Sequence, residues 1–514
     1  MTQRPGLAAA GVALVAAALA AFLSQRVFEG IPHVSDAVSY AFQGRILASG
    51  YLYLPPPPVG EAFAAQNVIV TNDRWCSKYP PGFPLLLAPG WLLGAPWLVN
   101  PFLLGLAVYG VYRLGRALYD EPTGLAGAAL LAISPFALLM GAGFMSHVPA
   151  LAVCTWCLVA LVEGAASGRP LPLAVAGALG GFAVMVRPLT AILLLAPAAA
   201  WCLWKRHRAG LAPRALFLLS AGFLPLFAGF LAYNRVLFGD PLQLGYQVYS
   251  PGEGFRDEIA QPLSPLALLP KRLAWYFNDL NAATWGWPFG DLLPIAALLL
   301  PRARRTGDGL LAACAACLVV GHSAYAYYDI NHSGPRYAFE ALGALSLLAA
   351  RGLLHLAGIA GRWLSRRRVE RIAPAAATAA AVLLAIPPLG SRLPTFAKRL
   401  ARAYHGHTLA PLLREADVGI GPDALVLVSG SVPASGSDTA LFNYGSFFLR
   451  NGLDPTTSRR VYAHDIAPLR DAILEAYPRA QTWTVHVEFE PIPLEDSYTD
   501  NCWKLTRIDW RRVR

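Results

Sequence analysis

Hydrophobic residues in this chain come in long uninterrupted blocks, not in the short alternating patterns of a soluble sheet protein. Between residues 6 and 390 these blocks recur with only short polar connections between them. A helix needs about 20 apolar residues to cross the hydrocarbon core of a bilayer, and on that measure the pattern predicts about eleven membrane-spanning helices. They fall at 6–26, 99–118, 123–143, 147–165, 170–186, 188–204, 215–233, 284–301, 308–326, 337–358 and 373–390. Arg187-Pro188 interrupts the stretch 170–204. Two helices joined by a tight turn there keep the later arginine clusters on one side; a single helix would invert them. The segment 81–98 is apolar but rich in Pro and Gly, so it predicts a helix lying at the interface or dipping into it.

The polar stretches have an order of their own. A long loop, 29–98, follows the first block. With the N-terminus inside, the outer face receives this loop, the turns at 144–148 and Arg187, the loop 234–283, the turn 327–336 and everything after Pro394. From about 390 the pattern changes. Strand-like runs at 423–428, 460–463 and 482–488, with an amphipathic helix at 466–477 ended by Pro478, predict a small α/β domain. The expected organisation is a membrane domain over 1–392 and a soluble outer domain over 393–514. The N-terminal block has no clean cleavage site and many spans follow it, so it is read as a retained first helix. No internal repeat is visible.

Composition sharpens this picture. Hydrophobic residues make up 55% of the 514 positions and charged residues 14%; soluble domains carry about 25% charged residues. The net charge of +11 does not point to nucleic acid, because of where it lies. Basic residues gather in short connections: Arg113 and Arg116; Lys205, Arg206, Arg208 and Arg214; Arg302, Arg304 and Arg305; Arg362, Arg366, Arg367, Arg368 and Arg371. That is the positive-inside pattern, which sets orientation. Cys154 and Cys157, like Cys314 and Cys317, form Cys-x-x-Cys pairs within apolar blocks, where they read as small core residues. Cys76 and Cys502 both fall on the outer side, so a bridge between them is open but unsupported. No Gly-rich strand-turn-helix phosphate loop is present, which argues against an enzyme of the nucleotide-binding kind.

Six pieces, taken in order, carry a resemblance: PHVSDAVSYAFQGRILASG, KYPPGFPLLLAP, FMSHVPALA, GFAVMVRPLTAILLLAP, YNRVLFGDPLQLGY and GPRYAFEALGALSLLA. An acid after the first span, a Lys/Pro-Pro turn before the second, basic residues at outer helix ends and a soluble tail resemble the GT-C glycosyltransferases. The narrower likeness is to the bacterial branch holding the aminoarabinose–lipid A transferases and protein O-mannosyltransferases. No single piece is diagnostic; their order and spacing between about residues 30 and 350 carry the likeness. It implies a polytopic α-helical GT-C fold that uses a sugar carried on a polyprenyl phosphate, at the outer face of the membrane. The implied partners are that donor, membrane lipid, and a lipid, glycan or protein acceptor, with no nucleic acid. Some members use a divalent cation and others do not; no cluster here has metal-ligand spacing, and no cofactor is assigned.

Transfer to a hydroxyl needs a base for its proton, and cations for the phosphate that leaves. Asp36 matches the first-loop acid of the family and is the candidate base; the alternative is a helix N-cap. Lys78, before Pro-Pro, is the first candidate for the donor phosphate, the alternative being an interfacial lysine. Arg336 and Arg187 are further candidates, since arginines at helix ends are costly in a membrane unless paired, although each could also snorkel to headgroups. The family often has a second acid; the second outer turn here carries His147 instead, so His147 assists the acceptor or caps a helix. Tyr40, Arg74 and His332 are secondary candidates, and the helical spacing of Tyr40, Gln43 and Arg45 from Asp36 either lines the same mouth with them or makes a plain amphipathic face. The aromatics Tyr246, Tyr249, Trp275, Tyr276 and Phe277 read first as an interfacial belt.

The competing reading is a transporter or flippase of a lipid-linked sugar. It calls for polar or broken helices at the bilayer midplane and symmetric halves, whereas the candidates here gather at one face. Usage rich in Ala, Gly, Pro and Arg is compatible with a bacterium of high G+C content. The expected location is therefore the bacterial inner membrane, with the C-terminal domain periplasmic.

Overall fold

The structure, a computed structural model, describes residues 4–250, 265–286, 292–299, 306–324, 330–331, 334–363, 409–431, 447–479, 481–491 and 503–513, with a few positions between 390 and 397. The first apolar block forms α1 (Arg4–Val27). The loop that follows is ordered. It builds α2 (Ser35–Ala48), a hairpin of β1 (Val68–Val70) and β2 (Trp75–Ser77), and α3 (Gly82–Leu92). The last of these is the short apolar helix expected within 81–98. Gly82 is required at its start: a Cβ there would lie 2.6 Å from the backbone of Met185 and Val186.

The bundle continues through α4 (Val99–Leu118), α5 (Glu121–Ala132), α6 (Pro135–Ala142), α7 (His147–Ser167), α8 (Pro170–Val186), α9 (Pro188–Arg208) and α10 (Ala212–Phe238). Arg187 has extended dihedrals between α8 and α9, as the residue before a proline prefers, so 170–204 is two helices as expected. The predicted span 123–143 is instead a pair, α5 and α6, bent by 61°. Ser134 and Pro135 cause the break: the Ser134 hydroxyl accepts from the Ala137 N–H at 3.3 Å and Pro135 starts the new helix.

Among the described residues, six helices are long and apolar enough to cross a membrane, or seven if the bent pair is one span. The predicted span 373–390 lies outside the described residues. In the stretch read as the loop 234–283, the chain folds into α11 (Gly245–Tyr249) and α12 (Pro265–Thr284). Of the predicted span 284–301, helix α13 covers Leu292–Leu299. Then come α14 (Thr306–Ser323), a two-stranded ladder of β3 (Ile330–Asn331) and β4 (Gly334–Pro335), a 3-10 turn at Arg336–Ala341 and α15 (Leu342–Trp363).

The C-terminal part holds a four-stranded sheet in the order β6-β5-β7-β8. Strands β5 (Ala424–Ser431), β6 (Arg460–His464) and β7 (Gln481–Pro491) are parallel and match the predicted runs. Antiparallel β8 (Trp503–Arg512) was hidden in the sequence by Lys504, Arg507, Asp509, Arg511 and Arg512, which break the apolar alternation. The sheet is not a free unit. Its core is continuous with the first loop: Phe42 of α2 packs edge-on to Phe448 at 4.8 Å, Trp75 meets Phe448 at 5.6 Å, and Phe63 meets Tyr477 at 5.4 Å. Arg45 donates to the carbonyls of Leu449 at 3.1 Å and Asn451 at 2.6 Å. Arg45 thus docks the C-terminal domain and does not share the surroundings of Tyr40, as their helical spacing had suggested.

Candidate active site

Asp36 lies in the first turn of α2, whose cap position is Val34, so its carboxylate is not the N-cap. It is engaged on both oxygens. Oδ1 accepts from the Tyr79 hydroxyl at 2.5 Å and from Asn67 Nδ2 at 2.8 Å. Oδ2 accepts from Arg336 Nη1 at 2.9 Å. Burial pushes the Asp36 pKa up, but Arg336, the Tyr79 hydroxyl and Lys78 outweigh it, and the net shift is downward. Burial and the Asp36 charge push the Tyr79 phenol well up, so it stays a donor. The hairpin and α3 bring these groups together: Asn67 precedes β1, while Lys78 and Tyr79 follow β2.

Lys78 is nearly buried, and its ammonium lies over the rings of Tyr249 at 4.7 Å, Tyr79 at 5.4 Å and Tyr246 at 5.7 Å. Tyr246 and Tyr249 are therefore part of the lysine's surroundings, and the belt reading does not describe them. Cation–π contact of this kind favours a charged ammonium where water is scarce.

Tyr40 stacks on Tyr79 at 4.3 Å and shares a hydrogen bond with Ser146 Oγ at 2.8 Å. Arg187 Nη1 donates to the same oxygen at 3.1 Å. Arg187 Nε lies 3.3 Å from Glu340 Oε1, and His147 Nδ1 lies 3.0 Å from that oxygen. His147 is thus a buried partner of a carboxylate, not a helix cap. Glu340 is a buried acid of this site that the sequence reading missed. The signal was present: a glutamate in the otherwise apolar run after Gly334-Pro335-Arg336-Tyr337 is costly in a membrane helix without a function. Tyr337 separates the two arginines, with Arg336 at 5.2 Å and Arg187 at 5.7 Å from its ring centre.

The structure therefore brings Asp36 and Arg336 into one hydrogen-bonded set and Tyr40, Arg187 and His147 into a second, and the two meet at the Tyr40–Tyr79 stack beside Lys78. Arg74 is held elsewhere: it donates to the Leu237 carbonyl at 2.8 Å and pairs with Asp73 at 3.2 Å. His332 lies outside the described residues. Gln43 braces the loop, donating to the Leu52 carbonyl at 2.7 Å and accepting from the Ser77 N–H at 2.9 Å. Cys76 is a free, buried thiol, and Cys502 lies outside the described residues. Among the described residues, no three His, Cys, Asp or Glu side chains gather as metal ligands.

Residues 95–233 match the family described as dolichyl-phosphate-mannose-protein mannosyltransferase. That match spans α4 to α10, including Ser146, His147 and Arg187, but not Asp36, Lys78 or Arg336. No curated protein matches the chain. Among solved structures, the chain is similar to ArnT from Cupriavidus metallidurans bound to undecaprenyl phosphate, with a TM-score of 0.56 and 13% identity over 95% of this chain and 94% of that one. The apo form of the same protein aligns at a TM-score of 0.48 and 15% identity, covering 92% of each chain. The oligosaccharyltransferase of Archaeoglobus fulgidus aligns at 0.44 and 12% identity, covering 92% of this chain and 69% of that one. The chain thus has the fold of ArnT and carries, across residues 95–233, the sequence pattern of the family described as dolichyl-phosphate-mannose-protein mannosyltransferase.

Proposed function

We propose that the chain is an integral membrane glycosyltransferase that moves a sugar from a polyprenyl phosphate to an acceptor on the periplasmic face of a bacterial inner membrane. The observation that carries this reading is the convergence of one acid, Asp36, with the cations Arg336 and Lys78 at the mouth of the first loop, and of Arg187 beyond Tyr40. A hydroxyl acceptor loses its proton to Asp36 as its oxygen attacks the anomeric carbon. The bond from that carbon to the phosphate oxygen breaks on the opposite side, so configuration inverts. Lys78, Arg336 and Arg187 stabilise the charge that develops on the leaving phosphate.

An acid paired with Arg336 is a weak base, and the same pairing supplies the remedy. Donor phosphate competes for the Arg336 guanidinium and, as that contact loosens, the basicity of Asp36 rises. Tyr79 keeps one carboxylate oxygen fixed meanwhile, leaving Oδ2 to take the proton. The acceptor class, whether lipid, glycan or protein, is set by the surface around Asp36.

The experiment is transfer of radiolabelled sugar from a panel of polyprenyl-phosphate sugars in membranes, comparing wild type with Asp36→Asn. Transfer in the wild type, lost in the variant, supports the assignment and names the donor. Absence of transfer with every donor, together with movement of the lipid-linked sugar between leaflets, would replace the enzyme by a flippase.

A further inference from the structure

Glu340 takes no step in the transfer just described, yet it sits where it affects one. Its side chain is fully buried in the 3-10 turn Arg336–Ala341, one turn beyond Arg336. Oε1 faces both Arg187 and His147, at 3.3 and 3.0 Å. Among the described residues, Oε2 is buried with no side-chain donor in hydrogen-bond reach. A pair kept for stability alone would satisfy both oxygens, since a buried carboxylate oxygen without a donor is costly and an apolar replacement of the whole pair is often as stable. The half-satisfied carboxylate therefore points to a use for its charge. Arg187 provides the link: its guanidinium spans from Glu340 to Ser146, the hydroxyl that Tyr40 also holds.

We propose that Glu340 is a positioning residue and counter-charge for Arg187, competing with the lipid phosphate for that guanidinium so that the product can leave. The proposal rests on Arg187 meeting the phosphate in the function proposed above. The donor is a phosphodiester with one negative charge. The product is a monoester that carries close to two at neutral pH. Cations strong enough to draw the leaving group away would also retain it, and the product would be retained more firmly than the donor. A fixed carboxylate on the far side of Arg187 weakens both interactions, the product's more.

The test is equilibrium binding of undecaprenyl phosphate to the purified full-length protein, with kcat measured alongside. Glu340→Gln keeps the shape and removes the charge. It should bind undecaprenyl phosphate at least about tenfold more tightly, the effect of one unit charge about 12 Å away at an effective dielectric near 20, and should turn over more slowly as product release lags. Glu340→Asp keeps the charge and should bind close to wild type. Arg187→Gln should bind more weakly. A part with only a structural role would loosen binding in Glu340→Gln, and that outcome overturns the proposal. If Arg187→Gln binds as wild type does, the phosphate role of Arg187 falls, and this inference with it. If Arg187→Gln weakens binding while Glu340→Gln fails to tighten it, only the counter-charge is refuted. Should Glu340→Gln not yield a monodisperse protein, Glu340→Met, uncharged and of similar length, carries the test with Arg187 in place. It should bind more tightly than wild type, and equal or weaker binding overturns the proposal.

Discussion

Replacing Asp36 by Asn changes two properties of the site by different amounts, and the difference can be measured. The variant keeps the volume of the side chain, and its carbonyl can still accept from Tyr79 and Asn67, the partners now at 2.5 and 2.8 Å. Its amide then faces Arg336, where the carboxylate accepted at 2.9 Å, so one charge-assisted hydrogen bond is lost. Such a bond is worth about 1.5–3 kcal/mol; the side chain is 22% exposed, so water offsets part of that loss. The stability cost should be about 1–2 kcal/mol. Loss of a general base costs about 10²–10⁴ in rate, equivalent to about 3–5 kcal/mol of barrier. Single-turnover transfer in membranes, paired with a thermal melt of the purified protein, separates the two. A folded Asp36→Asn protein that transfers within about threefold of wild type would refute the base assignment. The pH dependence adds a check of sign. Because the folded-state pKa of Asp36 is lowered, its stabilising contribution is complete above the unfolded carboxylate value near 4 and is lost only as pH falls through the lowered value. Between pH 8 and 5 the ligand-free protein should show no loss of stability that Asp36→Asn removes.

Three further outcomes test other parts of the structure. Lys78→Met should lower kcat/KM for the donor by about 10–100-fold through the loss of a charge-assisted contact, with partial rescue by Lys78→Arg; an unchanged donor dependence would place the phosphate elsewhere. Gly82→Ala puts a methyl group 2.6 Å from the Met185–Val186 backbone, and should destabilise the protein by about 1–3 kcal/mol by displacing α3 from α8; a melt identical to wild type would contradict so close an approach. Phe448→Ala removes a buried ring that packs on Phe42 and Trp75. It should cost about 3–5 kcal/mol and also reduce transfer, because α2 carries both Phe42 and Asp36; destabilisation with full transfer would show that the C-terminal domain does not hold the site.

Much of the architecture was legible before any coordinate, because hydrophobic blocks and proline breaks are local properties of the chain. The helices α1, α4, α7, α9 and α10 follow directly from runs of apolar residues, and the junction at Arg187 from the proline after it. The three parallel strands of the C-terminal domain announced themselves in the same way, whereas Asp36 was singled out from Glu29, Glu61 and Asp73 of the same loop by its place in the family resemblance. Local pattern carried less where a block was interrupted or disguised. The bend between α5 and α6 needed the capping role of Ser134, and β8 was masked by its own charges.

What tertiary structure alone decided is which residues meet. Asp36 and Arg336 are 300 positions apart, His147 and Glu340 are 193 apart, and Arg45 reaches Leu449 across 404. Periodicity states which face of a helix is apolar, but it holds no record of the neighbour that will cover that face. Glu340 therefore went unread, Arg45 looked like a member of the Tyr40 face, and Tyr246 and Tyr249 looked like part of a belt. Their roles as counter-ion, docking contact and lysine enclosure arise from the packing of helices and loops distant in sequence. A buried charge has to find its partner in space, and no spacing along the chain encodes that partner.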